Sequence, residues 1–577
     1  MKAIKSIIII LAVAMGLGSC DFLDKEPTST TTGNYFNNES EAESYLRGVY
    51  AILTQISFYG NEYYYLAGGD DLEFYGGAGR SPHASGMICN NATSSDSYTT
   101  AFWYTLYSGI NRANTFLEEV GNVPDMNENN RKNYIAEARF LRAFYYFNLV
   151  QGWGDVPFRT SSTQSVVGLQ IERTSKDVIY DFICKEMEEC AEDLKSAADL
   201  AFLPGRISKS AAWGILARAY MFRAGEHFRD GSAPDAAKIK EYFTQAGKFA
   251  KLVKSEGGHS LAPNYWDFFI DECANRYNTT GNESIWEAEF TGNYMTDTRT
   301  EGRVGNIIGI QAPDLSSQTN MTGKSDPGYG YCFFWSTPKL YQLYLDNGDI
   351  NRMNWNIAPF QYTQSVSGKG VDGRLFEQGK MSEVKRQYWN KSYRYGDMPT
   401  GSNIGDREKN TPTTDYGRMC GKWRREYEND KKNKNFTSIN FPILRYADVL
   451  LMIAECENEV NGNPTQEAYD AINEVRRRAG IQPLSGLNHE EFRQAVKDER
   501  AMELCFEMTR RFDLIRWGEF VKNMNELAPI AKSGVNWNLG PSNVYTYFQV
   551  SSAYNYLPIP SNEMAVNNMI TKNNPGW

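Results

Sequence analysis

Two consecutive helices near the C-terminus constrain the fold more than any other feature of the sequence. The first helix carries Tyr446, Val449, Leu450, Ile453 and Ala454 at the spacing of an amphipathic helix. A turn at residues 461–464 ends it, and the second helix is marked by Ala468, Ile472 and Val475, with Gly480 at the position of a C-terminal glycine. A helix, a short turn and a second helix form a tetratricopeptide-like unit of about 34 residues. Such pairs bury their apolar faces only by stacking, so the pattern predicts a curved α-superhelix.

Helical periodicity also covers much of the first half of the chain. Residues 133–150 carry apolar side chains on two stripes, so this helix is expected to be buried over a wide arc. Residues 208–223 are rich in alanine, which lets another helix approach closely, and a partner helix follows around residues 242–250. The tetratricopeptide consensus is nowhere complete. We therefore predict a mainly α fold built from degenerate helix pairs.

The periodicity divides the chain into regions. Residues 39–256 form a helical N-terminal region, and residues 257–577 a C-terminal region that is loop-rich over 257–440, helical over 441–530 and irregular over 531–577. Long loops inside a compact protein are usually either functional or disordered, and the many aromatic residues of 257–440 argue against disorder. We therefore predict an irregular, loop-rich layer on the helical scaffold.

The first 19 residues read as a secretory signal peptide. A basic start at Lys2 and Lys5 precedes an apolar run from Ile7 to Met15, which is shorter than the roughly 20 residues that span a membrane. The run closes in Leu17-Gly18-Ser19-Cys20, which resembles a bacterial lipobox. We predict that Cys20 is lipidated, which anchors a protein durably, and that residues 20–38 form a tether. A plain signal peptide with an incidental cysteine is the alternative.

Composition narrows the class of function. The 60 basic and 70 acidic residues are scattered and give a net charge of −10, which argues against nucleic acid as a partner because phosphate contacts need a basic surface. Four histidines leave few candidates for metal binding or acid-base chemistry, and no C-x-x-C motif occurs, so we assign no metal ligand and no cofactor. Cys456 and Cys505 lie in apolar helical patterns and are predicted to be buried thiols.

Short motifs spread over nearly the whole chain match one family in kind and order. In the N-terminal half they are Cys20-Asp21-Phe22-Leu23-Asp24, then Trp103, Tyr107, Ile110, Asn111 and Asn114, then residues 137–146, then Gly154-Asp155-Val156-Pro157. In the C-terminal half they are residues 445–451, Glu499-Arg500, Glu503-Leu504, residues 511–514, Arg516-Trp517, residues 557–560 and residues 573–577. In this order they resemble the SusD/RagB-like nutrient-uptake lipoproteins of the Bacteroidetes outer membrane.

The resemblance implies a fold and a function. It implies a right-handed superhelix of about four tetratricopeptide-like helix pairs with a variable, loop-rich ligand-binding face. It further implies a non-catalytic lipoprotein, lipid-anchored in the outer membrane and exposed at the cell surface. Such a protein caps a SusC-like, TonB-dependent β-barrel transporter and captures an oligosaccharide for import.

The resemblance also directs attention to two windows of candidate ligand-binding residues. In the first window, Asp71 and Arg80 are carried over from starch-binding family members, and Glu73 and Tyr75 lie beside them. The second window contains aromatic residues that do not follow helical spacing: Tyr294, Tyr329, Tyr331 and Trp335. Flat rings stack on sugar faces while acidic, amide and arginine groups hydrogen-bond hydroxyls. The alternation of Tyr329 and Tyr331 also fits one face of a strand.

We interpret the charged motif residues near the C-terminus as parts of the helical scaffold. They recur at helical spacings of three, four and seven: Glu499, Arg500, Glu503, Glu507, Arg510, Arg511, Asp513 and Arg516. We expect them to pair across adjoining helices and to fix the geometry of the last helical layer.

Three other functions stay open from the sequence. A lid of the same importer type could take a peptide or another nutrient in place of a glycan. A surface glycoside hydrolase would need two carboxylates about 5–10 Å apart across a cleft. A tetratricopeptide adaptor would bind only other proteins, through a free concave groove.

Overall fold

The computed structural model describes residues 35–76, 86–165, 167–277, 281–290, 302–312, 328–358, 418–428, 434–533 and 544–577. It also describes the backbone of four strands within residues 360–393. The predicted signal peptide, the lipidated Cys20, and the candidate ligand residues Arg80 and Tyr294 lie outside the described residues, so they stay predictions.

The described part of the chain is mainly helical, as predicted. Its α-helices are α1 (Glu39–Tyr50), α2 (Tyr63–Ala67), α3 (Ser97–Glu119), α4 (Glu128–Trp153), α5 (Lys176–Ala191), α6 (Lys209–Ala224), α7 (Glu226–Asp230), α8 (Ala236–Glu256), α9 (Tyr265–Cys273), α10 (Pro338–Asp346), α11 (Ile350–Asn356), α12 (Tyr446–Asn461), α13 (Gln466–Ala479), α14 (His489–Leu504), α15 (Arg510–Arg516), α16 (Phe520–Ser533) and α17 (Ser561–Val566). None of these described helices is long and apolar enough to cross a membrane.

The strands are short. They are β1 (Glu73–Tyr75), β2 (Val156–Pro157), β3 (Arg173–Thr174), β4 (Ser284–Ala288), β5 (Phe334–Ser336), β6 (Ile357–Ala358), β7 (Phe360–Thr363), β8 (Gly373–Glu377), β9 (Lys380–Val384), β10 (Asn390–Tyr393), β11 (Met419–Cys420) and β12 (Phe441–Arg445). The largest sheet has the antiparallel order β1-β5-β11-β6, which joins a strand from the N-terminal half to three strands of the loop-rich layer.

The helical scaffold is a single row in which each helix packs against the next. The order is α1, α3, α4, α5, α6, α8, α12 and α13, which makes four pairs. Helix α4 is buried along most of its length, and Gly480, at φ +79°, ends α13 where the sequence placed a C-terminal glycine. Small residues lie at the crossings. A Cβ on Gly109 of α3 would come within 2.6 Å of Tyr145 Cε2 on α4. The predicted stack of helix pairs is confirmed.

The loop-rich layer is an insertion between two helices that pack on each other. Helix α8 ends at Glu256 and α12 begins at Tyr446, yet the two are in contact. The inserted chain forms short helices and short strands rather than long periodic elements. The predicted irregular layer over 257–440 therefore lies between the third and fourth helix pairs of the scaffold.

The charged motif residues form a buried ion-pair network, as predicted. Arg445, 1% exposed, contacts Glu283 at 2.9 Å, Glu503 at 2.5 Å and Glu507 at 2.8 Å. Through Glu283 and Glu503 the network joins strand β4 of the loop-rich layer to α14. Arg511 differs from the other motif residues because its Nη1 donates to Asn90 Oδ1 at 2.9 Å, and burial lowers its pKa to about 10. The network fixes how the layer sits on the last helices.

Other motif residues also serve the scaffold. Tyr107 Oη donates to Pro157 O at 2.7 Å, and Asn114 Nδ2 donates to Ser161 O at 3.0 Å. Asn574 of the C-terminal tail donates to Trp153 O at 3.0 Å and to Leu557 O at 2.9 Å. These bonds hold the loop after α4 and the chain's last residues against α3 and α4. Cys456 and Cys505 are buried free thiols, as predicted.

Candidate functional site

An aromatic row lies where the loop-rich layer enters strand β5. Its members, Tyr329, Tyr331, Phe333 and Trp335, are half-buried, whereas the residues between them are buried. Tyr331 contacts the rings of Tyr329 and Phe333, although Cys332, between Tyr331 and Phe333, has a φ of +56° and interrupts the extended chain. The regular strand β5 begins only at Phe334.

The rings of the row contact one another and continue into the N-terminal half of the chain. The ring centroids of Tyr329 and Tyr331 are 4.6 Å apart, those of Tyr331 and Phe333 are 5.1 Å apart, and Phe333 lies 5.4 Å from Tyr75. Beyond Tyr75, Tyr65 lies 6.2 Å away, and Tyr65 in turn stacks on Tyr98 at 5.3 Å. The result is a continuous series of ring contacts, in which Tyr75 and Tyr65 are buried and the outer members are half-buried.

Buried polar groups fix the backbone of the row. Asn306 is fully buried, and its Nδ2 donates to the carbonyls of Tyr329 and Lys434, each at 3.0 Å. Arg425 Nη1 donates to the same Tyr329 carbonyl at 2.8 Å. The backbone nitrogen of Tyr331 donates to Asn306 O at 2.7 Å. A row held by so many main-chain bonds is pre-organised for contact with a ligand.

Two cations lie over one end of the row. The Arg303 guanidinium carbon is 5.7 Å from the Tyr331 centroid, and Lys434 Nζ is 5.5 Å from the Tyr329 centroid. Tyr331 Oη donates to Asn435 Oδ1 at 3.1 Å. A cation is attracted by the face of an aromatic ring, so these positions are electrostatically favourable.

Acidic groups lie near Tyr98. Burial, and next to it the charge of Asp96, raise the pKa of Glu62 to about 7. Burial raises the pKa of Tyr98 to about 12, and the negative charge of Glu62 adds to the effect, whereas the positive charge of Arg303 opposes it. Groups of both signs therefore act on Tyr98.

Trp335 is held by the glycine that faces it. Its Nε1 donates to Cys332 O at 2.8 Å. A Cβ on Gly76 would come within 2.3 Å of Trp335 Cδ2, so only glycine lets the indole lie against the chain here. The ring of Trp335 lies in the central part of the four-stranded sheet, opposite Phe74 of β1.

The three candidates from the first window are in the protein interior. Asp71, Glu73 and Tyr75 are 0%, 1% and 2% exposed. Burial opposes ionisation of Asp71, but Arg510 and Lys339 outweigh it and hold its pKa well below the ordinary value. Burial, reinforced by Asp70, raises the pKa of Glu73. These three side chains offer no surface to a ligand, which corrects the expectation of direct contact. Tyr75 supports the row from behind.

The structure keeps part of the second window and adds residues that sequence reasoning missed. Tyr329, Tyr331 and Trp335 come together with Phe333 in the row. Arg303, Asn306, Lys434 and Asn435 were missed. Arg303 and Asn306 lie inside the window, where only the aromatic residues drew attention. Lys434 and Asn435 lie more than one hundred residues further along the chain, and no spacing in the sequence links them to Tyr331.

Two family models match different parts of the chain. A family model described as "SusD family" matches residues 282–577, and one described as "Starch-binding associating with outer membrane" matches residues 21–221. SusD-like protein P25 of Formosa agariphila is 27% identical over 579 residues, which cover 98% of this chain and 97% of that protein. Starch-binding protein SusD of Bacteroides thetaiotaomicron is 24% identical over 480 residues, covering 80% and 76%.

A solved structure agrees over nearly the whole length. The crystal structure of a SusD homolog from Bacteroides thetaiotaomicron superposes with a TM-score of 0.78 at 26% identity, covering 96% of this chain and all of that one. The two family models lie in the two halves of the chain, and the first alone matches more than half of its 577 residues. The chain therefore belongs to the SusD family.

Proposed function

We propose that this protein is a non-catalytic, cell-surface lipoprotein that captures an oligosaccharide on the aromatic row. The row carries the proposal, because half-buried ring faces beside fixed amide and cationic groups are what a sugar chain needs for stacking and for hydrogen bonds to its hydroxyls. The name of the starch-binding relative and the description of the second family model support a carbohydrate ligand.

The protein acts as the lid of a TonB-dependent β-barrel transporter. The lipobox at Cys20 supplies the anchor, and the second family model is described as associating with the outer membrane. The row is presented by the inserted layer, which leaves the helical scaffold as the surface for the barrel. The protein releases its glycan unchanged, since capture and import need no covalent step.

A glycan-binding assay tests the ligand class. Tagged protein is titrated calorimetrically against oligosaccharides of defined composition, with the Tyr331→Ala variant beside Tyr242→Ala. Tyr242 is a half-buried tyrosine on α8 whose ring faces Arg223, so its loss removes a ring of the same kind from the scaffold. We expect Tyr331→Ala to weaken binding about tenfold and Tyr242→Ala to leave it unchanged, in line with the value of an aromatic contact. Equal binding by the two variants would contradict the proposed site.

Purification from native outer membranes tests the lid role. The tagged protein is extracted in mild detergent and its companions are identified. Recovery of a large TonB-dependent barrel in near-equal amount is the expected result. Recovery of the protein alone, under conditions that preserve such complexes, would contradict the lid role, and release of sugar on prolonged incubation with glycan would contradict the non-catalytic role.

A further inference from the structure

Arg303 is anchored at the row without an acidic partner. It is half-buried, its backbone nitrogen donates to Gly60 O at 3.0 Å, and its side chain donates to two neutral acceptors. These are Asn306 Oδ1 at 3.0 Å and Asn435 O at 3.2 Å. In the part of the chain that the structure describes, no carboxylate lies within 4.0 Å of its guanidinium.

Other arginines in comparable surroundings are neutralised. Arg425, which bonds the same row, pairs with Glu428 at 3.0 Å. Arg206 is half-buried and also stacks on a tyrosine, yet it pairs with Glu137 at 3.0 Å. Removing a cation from water is unfavourable unless a partner compensates it, and a guanidinium has five N–H donors to satisfy. Arg303 therefore holds a partly desolvated positive charge, with donors to spare, beside the Tyr331 ring.

A second positive charge lies at a fixed spacing along the row. Lys434 is exposed, and Asn306 bonds its carbonyl and that of Tyr329 at once, which sets Lys434 beside the Tyr329 ring. Two adjacent rings thus each carry a cation. Arg303 also acts on Tyr65 and Tyr98, the tyrosines on which Glu62 acts, but its guanidinium lies over the Tyr331 ring. A ligand that stacks on Tyr331 therefore meets a cation there.

We infer that the captured oligosaccharide is acidic, with a carboxylate or sulfate on the sugar that stacks at Tyr331. This inference rests on the proposed function, and it specifies the class of glycan. The anion accepts charge-assisted hydrogen bonds from Arg303, which are stronger than bonds between neutral groups. The ring supplies stacking, and the cation supplies discrimination against neutral sugars.

Matched pairs of oligosaccharides test the inference. One arm uses uronate oligomers and their carboxyl-reduced counterparts, and the other uses sulfated galactan oligomers and their desulfated counterparts. Each pair shares one backbone, so a difference in affinity reports on the charged group. We expect the protein to bind an acidic member at least about tenfold more tightly than its neutral counterpart, with an affinity that falls as salt is raised. The arm that shows the preference tells carboxylate from sulfate.

Variants assign the preference to one side chain. Arg303→Gln should bring the acidic member down to the affinity of the neutral one, and Arg303→Lys should keep part of the preference. The control is Arg159→Gln, because Arg159 is also half-buried and donates to the Gly168 carbonyl on the scaffold. Unchanged binding of the neutral member by Arg303→Gln shows that the row is intact.

The outcomes separate this inference from the proposed function. Equal affinity for acidic and neutral members, or a preference that Arg303→Gln does not change, overturns the inference while glycan capture stands. Binding of neutral glycans only also overturns the inference and leaves glycan capture in place. Binding of no glycan in either arm counts against both proposals.

Discussion

Asp71 and Arg510 form a two-point ion pair across 439 residues of sequence: Arg510 Nε donates to Oδ1 at 2.8 Å and Nη2 donates to Oδ2 at 2.9 Å. Lys339 Nζ donates to the same carboxylate at 2.6 Å, so one fully buried acid joins the start of the chain, the loop-rich layer and α15. A bidentate arginine–carboxylate pair fixes geometry as well as charge. Asp71 therefore holds the layer in place.

Replacing Asp71 should destabilise the protein strongly. Asp71→Asn leaves the buried Arg510 and the half-buried Lys339 without their acid, for which we expect a loss of about 3–5 kcal/mol in the free energy of unfolding. Urea denaturation measures it, with Asp346→Asn, an exposed acid at the end of α10, as the control. Because the pKa of Asp71 is held below its ordinary value, its contribution is present above the unfolded value near 3.8 and disappears only in acid. Because burial, and next to it the charge of Asp71, raise the pKa of Asp70 to about 7, the deficit should be measured at pH 5, where Asp70 is protonated. A loss below about 1 kcal/mol there would contradict the scaffold role.

The buried network predicts a contrast between two arginines. Arg445→Met leaves Glu283, Glu503 and Glu507 without their shared cation and should lower the free energy of unfolding by about 3–5 kcal/mol. Arg47→Met removes an exposed pair with Glu43, and surface pairs contribute about 0–1 kcal/mol. Similar losses for the two variants in urea denaturation would show that the buried network stabilises the protein no more than an exposed ion pair does.

Glu62 should make stability depend on pH. Its pKa is raised to about 7, so the folded state favours the protonated carboxyl, and folding becomes less favourable as pH rises from about 4.5 through 7. Glu62→Gln removes this penalty. Its midpoint of thermal unfolding should equal that of the wild type at pH 5 and exceed it at pH 8. Glu256→Gln, at the exposed end of α8, is the control. If Glu62→Gln and the wild type differ in unfolding midpoint by the same amount at pH 5 and at pH 8, the raised pKa of Glu62 is refuted.

Gly76 should couple energetically to Trp335. A Cβ there lies within 2.3 Å of the indole, so Gly76→Ala forces the ring away at a cost of about 1–3 kcal/mol. In a Trp335→Ala background the same change should cost nothing, which a double-mutant cycle in urea measures. Gly121→Ala is the control, because its Cβ would meet no atom within 4 Å. If the effects of Gly76→Ala and Trp335→Ala on the free energy of unfolding are additive, the indole of Trp335 does not lie against Gly76.

Local patterns in the sequence determined the helical scaffold. The spacing of Tyr446, Val449 and Leu450 and the position of Gly480 predicted helices that the structure contains, because a helix satisfies its backbone hydrogen bonds among near neighbours. The charged motif residues were correctly assigned to a network within the scaffold, since their helical spacing puts them on shared faces. The alternation of Tyr329 and Tyr331 also fitted one face of a strand, but strand β5 begins only at Phe334.

Only the tertiary structure decided the roles of the charged residues in the two windows. Asp71 and Arg303 both lie in segments with no periodicity to place them. Asp71 is buried because Arg510 and Lys339 arrive from distant segments, whereas Arg303 lies at the surface of the row because Asn306 ties it to Tyr329 and Lys434. Whether a charged loop residue is buried or exposed depends on neighbours that the fold brings from far along the chain. Local spacing carries no information about them, and that is why the sequence by itself determined the scaffold but not the site.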